Sequence, residues 1–345
     1  MMSLNGDLIA DLLGRVDGVT LASLGCVSSQ FWSIAKEEKI WEEKCSSLWP
    51  STQDSDVKKF ISSSLGGFRN FYASCFPIIA YDESFKRHKV KKVCDSLPSD
   101  FVSLVDVTYK DNIIYSKVVW GIPCAEEEFD TWFSNCPFKM ELINFYDVEG
   151  EDQTSGDGLP KIDTIENVKK DLNFWGQMTE NIRLSWIMVN KRTGQAANLS
   201  SWRPLCEQSD WASHKDCVIS FGSILPAHNV LPCKSVQCIL VLKCRLSDSL
   251  KITELSMRLE DTMGAWVNGR DSLLILERAV GCRRSNKQIQ FFASYQKHLS
   301  ERGKLKEANM KNEGCLDIIC ILGGIVVSAS FWCLVFRESG PILEI

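Results

Sequence analysis

Four histidines, His88, His214, His228 and His298, are the only imidazoles available for proton transfer or metal binding. They stand far apart along the chain. The neighbourhood richest in ligand types is His228, Cys233, Cys238 and Cys244. One imidazole and three thiolates make a zinc-ligand set, but zinc sites favour short knuckles, and no CxxC pair occurs. On a strand over Val236 to Leu246, Cys238 and Cys244 share a face with Leu240, Leu242 and Leu246. Thiols among leucines read as small core residues, so no metal is expected. There is no GxSxG, GxxxxGK(S/T), HExxH or protein-kinase signature. A nucleophilic cysteine needs an exposed thiolate of depressed pKa, and nothing marks one out among the fifteen cysteines. No catalytic residue, no enzymatic activity and no cofactor are expected. What remains is recognition. Tryptophan combines apolar area with a polar N–H, and Trp120, Trp132, Trp175, Trp186, Trp202, Trp211 and Trp266 all fall in the middle of the chain. Trp202 and Trp211 flank a loop-like stretch, and Trp266 sits in the Gly264 to Gly269 turn. These three are the candidate substrate-recognition residues. The alternative is that the tryptophans fill a β-rich core and its rim.

The 345 residues leave room for a core that needs no staples. Apolar residues make up 45% and charged residues 24%, which excludes a disordered or multi-span membrane chain. Lys plus Arg is 39 and Asp plus Glu is 44, a net charge of −5. With no basic block, nucleic acid is not an expected partner, because that affinity comes from neutralising phosphates. The N-terminus has acids within its first apolar stretch and no secretory h-region. The cysteines are therefore expected as reduced thiols, and the Asn198-Leu199-Ser200 sequon as unused.

The elements that must position these residues form an α+β order. Leu8, Ile9, Leu12, Leu13 and Val16 recur at helical spacing, and Asp17-Gly18 stops the run. Thr20 can cap a second short helix and Ser28 or Ser29 a third; a turn near Cys45 closes this three-helix unit at 5–48. A Ser-rich helical connector follows, within 49–94. The next part, 95–282, reads as a β-rich recognition domain. Phe101 to Tyr109 and Ile113 to Trp120 form a hairpin about Asp111-Asn112. Further strands are expected at Phe138 to Phe145, Ile182 to Asn190, Ala196 to Trp202, Cys217 to Phe221, Val236 to Leu246 and Ile252 to Leu259, with a turn-rich loop at 149–161. So many short strands point to an antiparallel, sandwich-like body. Helix returns from Asp271. Ser285 can cap an amphipathic helix carrying Ile289, Phe292, Tyr295 and Leu299, which leads into a charged juxtamembrane stretch up to 314.

Residues 318–336 carry no charge, and about 20 apolar residues cross a bilayer as a helix. Lys297, Arg302, Lys304, Lys306 and Lys311 precede the stretch and only Arg337 follows it. By the positive-inside rule this predicts a single transmembrane helix, tail-anchored, with membrane lipid as partner and the N-terminal bulk facing the cytosol.

The N-terminal unit resembles an F-box. Leu12-Leu13, Asp17-Gly18, Leu21 to Leu24, Val27-Ser28, Phe31-Trp32 and Ile40-Trp41 follow one another in that family's order. Cys45 to Pro50 and Gly67 to Tyr72 resemble a plant subgroup, and the apolar tail is similar to the layout of its cytokinin-induced branch. The resemblance implies a substrate-recognition subunit of an SCF-type ubiquitin ligase. It implies binding of a Skp-type adaptor, and through it a cullin, by Leu8, Ile9, Leu12, Leu13, Leu21, Val27, Phe31, Ile40 and Trp41. A protein substrate and a role in hormone signalling follow from the same likeness. One departure is plain: Asn5-Gly6 stands where the family has Leu-Pro. Losing a leucine contact costs about 1–2 kcal/mol, roughly tenfold in affinity. The alternative is a membrane-tethered binding module with a decayed F-box and a ligand site in its β-body.

Overall fold

The computed structural model describes residues 6–79, 96–123, 133–143, 174–209, 216–246, 250–282, 284–285 and 288–338. Two compact units divide the chain, Met1–Gln296 and Lys297–Ile345.

The first unit opens with four helices, α1 (Gly6–Arg15), α2 (Gly18–Leu24), α3 (Ser29–Ala35) and α4 (Glu38–Leu48). The closing turn expected near Cys45 is thus a helix. Asp17 caps α2, its carboxylate accepting the Val19 and Thr20 N–H groups at 2.9 Å and the Thr20 hydroxyl at 2.7 Å. The bonds from Thr20 hold Asp17 below the usual carboxylate range. Thr20, expected as the cap, lies inside the helix because Asp17 offers its oxygens first. Ser28 caps α3 through the Phe31 N–H, 3.2 Å. Helices of seven residues do not stand alone in water; these are held by packing. A tight turn, Pro50–Gln53, leads to α5 (Ser55–Ser64) and α6 (Phe68–Cys75). Glu38 on α4 accepts the Phe68 N–H at 2.7 Å, so one helix caps the start of another. Gly18 lets α2 meet α6 closely, since a Cβ there would lie 2.3 Å from the Tyr72 ring.

The strands follow: β1 (Ile78–Ile79), β2 (Phe101–Tyr109), β3 (Asn112–Trp120) and β4 (Lys139–Ile143). After α7 (Phe174–Asn181) come β5 (Ile182–Asn190), β6 (Gln195–Asn198), β7 (Cys206–Ser209), β8 (Asp216–Pro226), β9 (Ser235–Leu246) and β10 (Leu250–Glu260). Helix α8 (Gly269–Val280) is capped by Asn268, and β11 (Arg284–Ser285) pairs with β1. The sheets have the orders β3-β2-β5-β6 and β4-β10-β9-β8-β7, every pair antiparallel. The class is α+β with antiparallel sheets, as the pattern predicts. Strand β6 is shorter than expected and β8 longer; β7 and α7 have no clear periodic signal. The loop expected at 149–161 lies outside the described residues.

The central strands of the four-stranded sheet, β2 and β5, are buried on both faces. Phe101, Val105, Val107, Leu184, Trp186 and Met188 point to the five-stranded sheet and share its core. The alternate residues Val102, Leu104, Ile187 and Val189 point to α1–α6. The result is three layers, helices on sheet on sheet. A row of polar groups fastens the helical layer. Asp106 accepts the Ser51 N–H at 2.9 Å, the Ser51 hydroxyl at 2.6 Å and the Ser116 hydroxyl at 2.7 Å. Ser185, directly opposite Asp106 on β5, accepts the Trp49 indole N–H at its Oγ, 3.2 Å. Burial outweighs these bonds and pushes the Asp106 carboxyl up to about 6.

Three expectations about the C-terminal part are corrected. The last helix, α9, runs Gln288–Glu338, and Ser285 lies in β11 rather than at its cap. Phe291, not Phe292, is buried, because Phe291 stacks on Tyr295 one turn ahead at 6.3 Å. Residues 318–336 are not a separate span but the end of this 51-residue helix. Among the described residues no helix is long and apolar enough to cross a membrane. This overturns the single-pass, tail-anchored localisation.

Candidate functional site

The N-terminal helices sort the candidate adaptor residues into two groups. Ile9, Leu13, Leu21, Ile40 and Trp41 point inward and belong to the core shared with α5, α6 and the sheet. The Trp41 indole N–H donates to Ala35 O at 2.8 Å, and its ring meets Tyr72 at 5.2 Å. Leu12 and Val27 point outward, 52% and 69% exposed. Phe31 is half-buried against the same core. Leu8 lies in α1, and its side chain is outside the described set. Two residues absent from the sequence-based set, Val19 and Trp32, are exposed on α2 and α3. The Arg69 guanidinium and the Lys36 ammonium sit 4.7 and 5.6 Å from the centre of the Trp32 ring. Helices α1–α3 and the turn between α2 and α3 therefore carry four exposed apolar side chains, with cations beside one of them.

The three candidate recognition tryptophans do not form one site. Trp211 lies outside the described residues. Trp266 follows β10, half exposed, with the Arg258 guanidinium 5.5 Å from its ring. Arg258 is itself held by Glu260 at 2.8 Å. Trp202 lies elsewhere, bridged to Leu184 of the four-stranded sheet. It lines a cavity of about 240 Å³ with Trp49, Phe76, Pro77, Ile78, Asn198 and Ser285. Of these wall residues only Trp202 was a candidate from sequence. Asn198 carried the sequon signal, but its side chain is buried and holds backbone: Oδ1 accepts the N–H groups of Trp186 at 3.1 Å and Ser200 at 3.0 Å.

Four thiols of the β-body, Cys217, Cys238, Cys244 and Cys282, are core residues. Cys238 and Cys244 are fully buried with Leu240 and Leu242, and burial pushes both thiols far up. Burial likewise raises Cys217 and Cys282 to about 12. Such thiols stay protonated and do not act as nucleophiles at neutral pH.

Relatives extend along almost the entire chain. F-box protein At2g27310 of Arabidopsis thaliana is 27% identical over 96% of this chain and 94% of its own length. F-box protein At3g44326 of the same plant is 26% identical over 92% and 86%. F-box protein GID2 of Oryza sativa subsp. japonica is 35% identical, over 20% of this chain and 34% of its own. No family model matches. No solved structure matches either. Similarity along most of the chain to proteins named as plant F-box proteins supports kinship with the plant F-box protein family.

Proposed function

We propose that the chain is a substrate receptor of an SCF-type ubiquitin ligase. In this reading residues 5–48 engage a Skp-type adaptor, and through it a cullin, and residues 95–282 select a protein target. The observation that carries it is the outward placement of Leu12 and Val27, 52% and 69% exposed, at positions matching the family pattern. Single exposed apolar residues are ordinary, but Leu12, Val19, Val27 and Trp32 all fall on three short helices and the turn that joins two of them. Direct contact goes to these residues and to the open side of Phe31. Ile9, Leu13, Leu21, Ile40 and Trp41 shape the surface from beneath. Leu8 joins the set on the family pattern alone. The role is proximity, holding a target near a ubiquitin-loaded enzyme at high effective concentration, and it asks no bond-making of this chain. A target within hormone signalling rests on the likeness to the cytokinin-induced branch alone.

Capture of recombinant Skp-type adaptor by the full chain tests the reading. Leu12→Asp with Val27→Asp is expected to weaken capture at least roughly tenfold, since burying one such side chain contributes about 1.5–3 kcal/mol. Both side chains are exposed, so the melting temperature should hold. No capture by the natural sequence, but capture after Asn5→Leu with Gly6→Pro, would sink the reading in favour of a binding module with a decayed F-box.

A further inference from the structure

We propose that the cavity between the end of α6, strand β1 and the end of β6 binds a small planar apolar molecule carrying one hydrogen-bond acceptor. Its volume, about 240 Å³, lies near the lower end of ligand pockets, about 300–1,000 Å³. Trp49, Phe76, Pro77, Ile78 and Trp202 supply apolar and aromatic walls, and Asn198 and Ser285 the polar groups. That lining selects flat apolar ligands over charged ones.

Asn198 gives the site its direction. The side chain is buried at 5% exposure, and Oδ1 is occupied by two backbone N–H donors. Those donors fix which end of the amide is oxygen. The remaining Nδ2 donates to no group among the described residues, and it is not sealed from solvent. A buried amide that lines a cavity and whose donor end has no partner among the described residues is a place for an acceptor.

Trp202 gives an independent sign. Its backbone sits at φ +66°, a conformation that is strained for a bulky residue. The Ser200 hydroxyl accepts its N–H at 3.2 Å, and Leu184 bridges to it, so the turn is fixed on both sides. Glycine would adopt this turn without strain. What tryptophan adds is a large flat wall to the cavity.

The inference does not depend on adaptor binding and is tested on the full chain alone. Acetophenone is the probe, titrated with ligand-detected NMR. α-Methylstyrene, which has the same shape with CH₂ in place of the carbonyl oxygen, is the control. Acetophenone is expected to bind about fivefold more tightly than α-methylstyrene, the worth of one ordinary hydrogen bond. Asn198→Asp keeps both accepted backbone bonds and removes the donor. It should bring acetophenone down to the level of α-methylstyrene. Trp202→Gly should weaken both probes at least roughly tenfold, with a melting temperature no lower than that of the natural chain. Failure of acetophenone to saturate the natural chain at millimolar concentration would overturn the proposal. So would equal binding of the two probes, or undiminished binding by Trp202→Gly.

Discussion

The two faces of the four-stranded sheet solve one packing problem by different chemistry. Each buries a tryptophan completely and satisfies its N–H on a serine of the sheet at 3.2 Å: Trp186 on Ser103 towards the second sheet, Trp49 on Ser185 towards the helices. Around Trp186 the surroundings are soft and uncharged, with the Ser103 hydroxyl 3.7 Å from the Met188 sulfur and 3.9 Å from that of Met140. Beside Trp49 stands a carboxylate, Asp106, tied to Ser51 and Ser116. The sandwich face is a conventional core. The helix face is a joint whose strength depends on a titrating group.

The largest effects should come from the tryptophans. Trp186→Ala and Trp49→Ala should each cost about 3–5 kcal/mol in urea unfolding. Hydrogen exchange should separate them: Trp49→Ala should release α1–α6 with the sandwich strands still protected. Equal loss in both layers would show one cooperative unit and erase the distinction. Next comes Asp106→Ala, which strands the buried Ser51 N–H and should cost about 1–3 kcal/mol. The charge itself is read with Asp106→Asn. The folded carboxyl titrates near 6 and the free one near 3.8. The folded state therefore takes up this proton first as pH falls. Its contribution is fully present below about pH 3.8 and lost as pH rises through about 6. Stability of the natural chain minus that of Asp106→Asn should fall between pH 4 and 6; a flat difference would mean that the joint is not titrating. The smallest effect is Asp17→Ala, which removes the α2 cap and should cost about 1 kcal/mol. Asp17 is held low by its bonds, so its contribution fades in the opposite direction, as pH falls.

The strands were legible where branched and aromatic residues run on. Phe101–Tyr109 and Ile182–Asn190 are found at the limits their sequence sets. The helical faces were legible too, but not what covers them. Periodicity puts Leu21 and Trp41 each on the apolar face of its own helix; it does not show that α6 and the sheet cover those faces. Leu12 and Trp41 therefore look alike in sequence and part company in the structure. The polar joint had no signal. Ser51, Ser116, Ser185 and Asp106 come from four separate segments, and only the register of β2 with β3 and β5 puts three of them in one row. Trp202 was identifiable as a residue, but its positive φ is a property of the turn. At the C-terminus, missing charge and basic flanks predict a span over 318–336, whereas the chain carries one 51-residue helix through it.

The joint at Trp49, Ser51 and Asp106 also bears on how the chain can be taken apart. The N-terminal helices are not a cartridge that clips onto whatever follows. Their inner side is completed by Val102, Leu104, Ile187 and Val189. A fragment ending at residue 48 would leave Ile40, Trp41 and Leu21 without the α5, α6 and sheet residues of their shared core. Grafting these helices onto a foreign recognition body would need that body to offer the same sheet face, serines and carboxylate included.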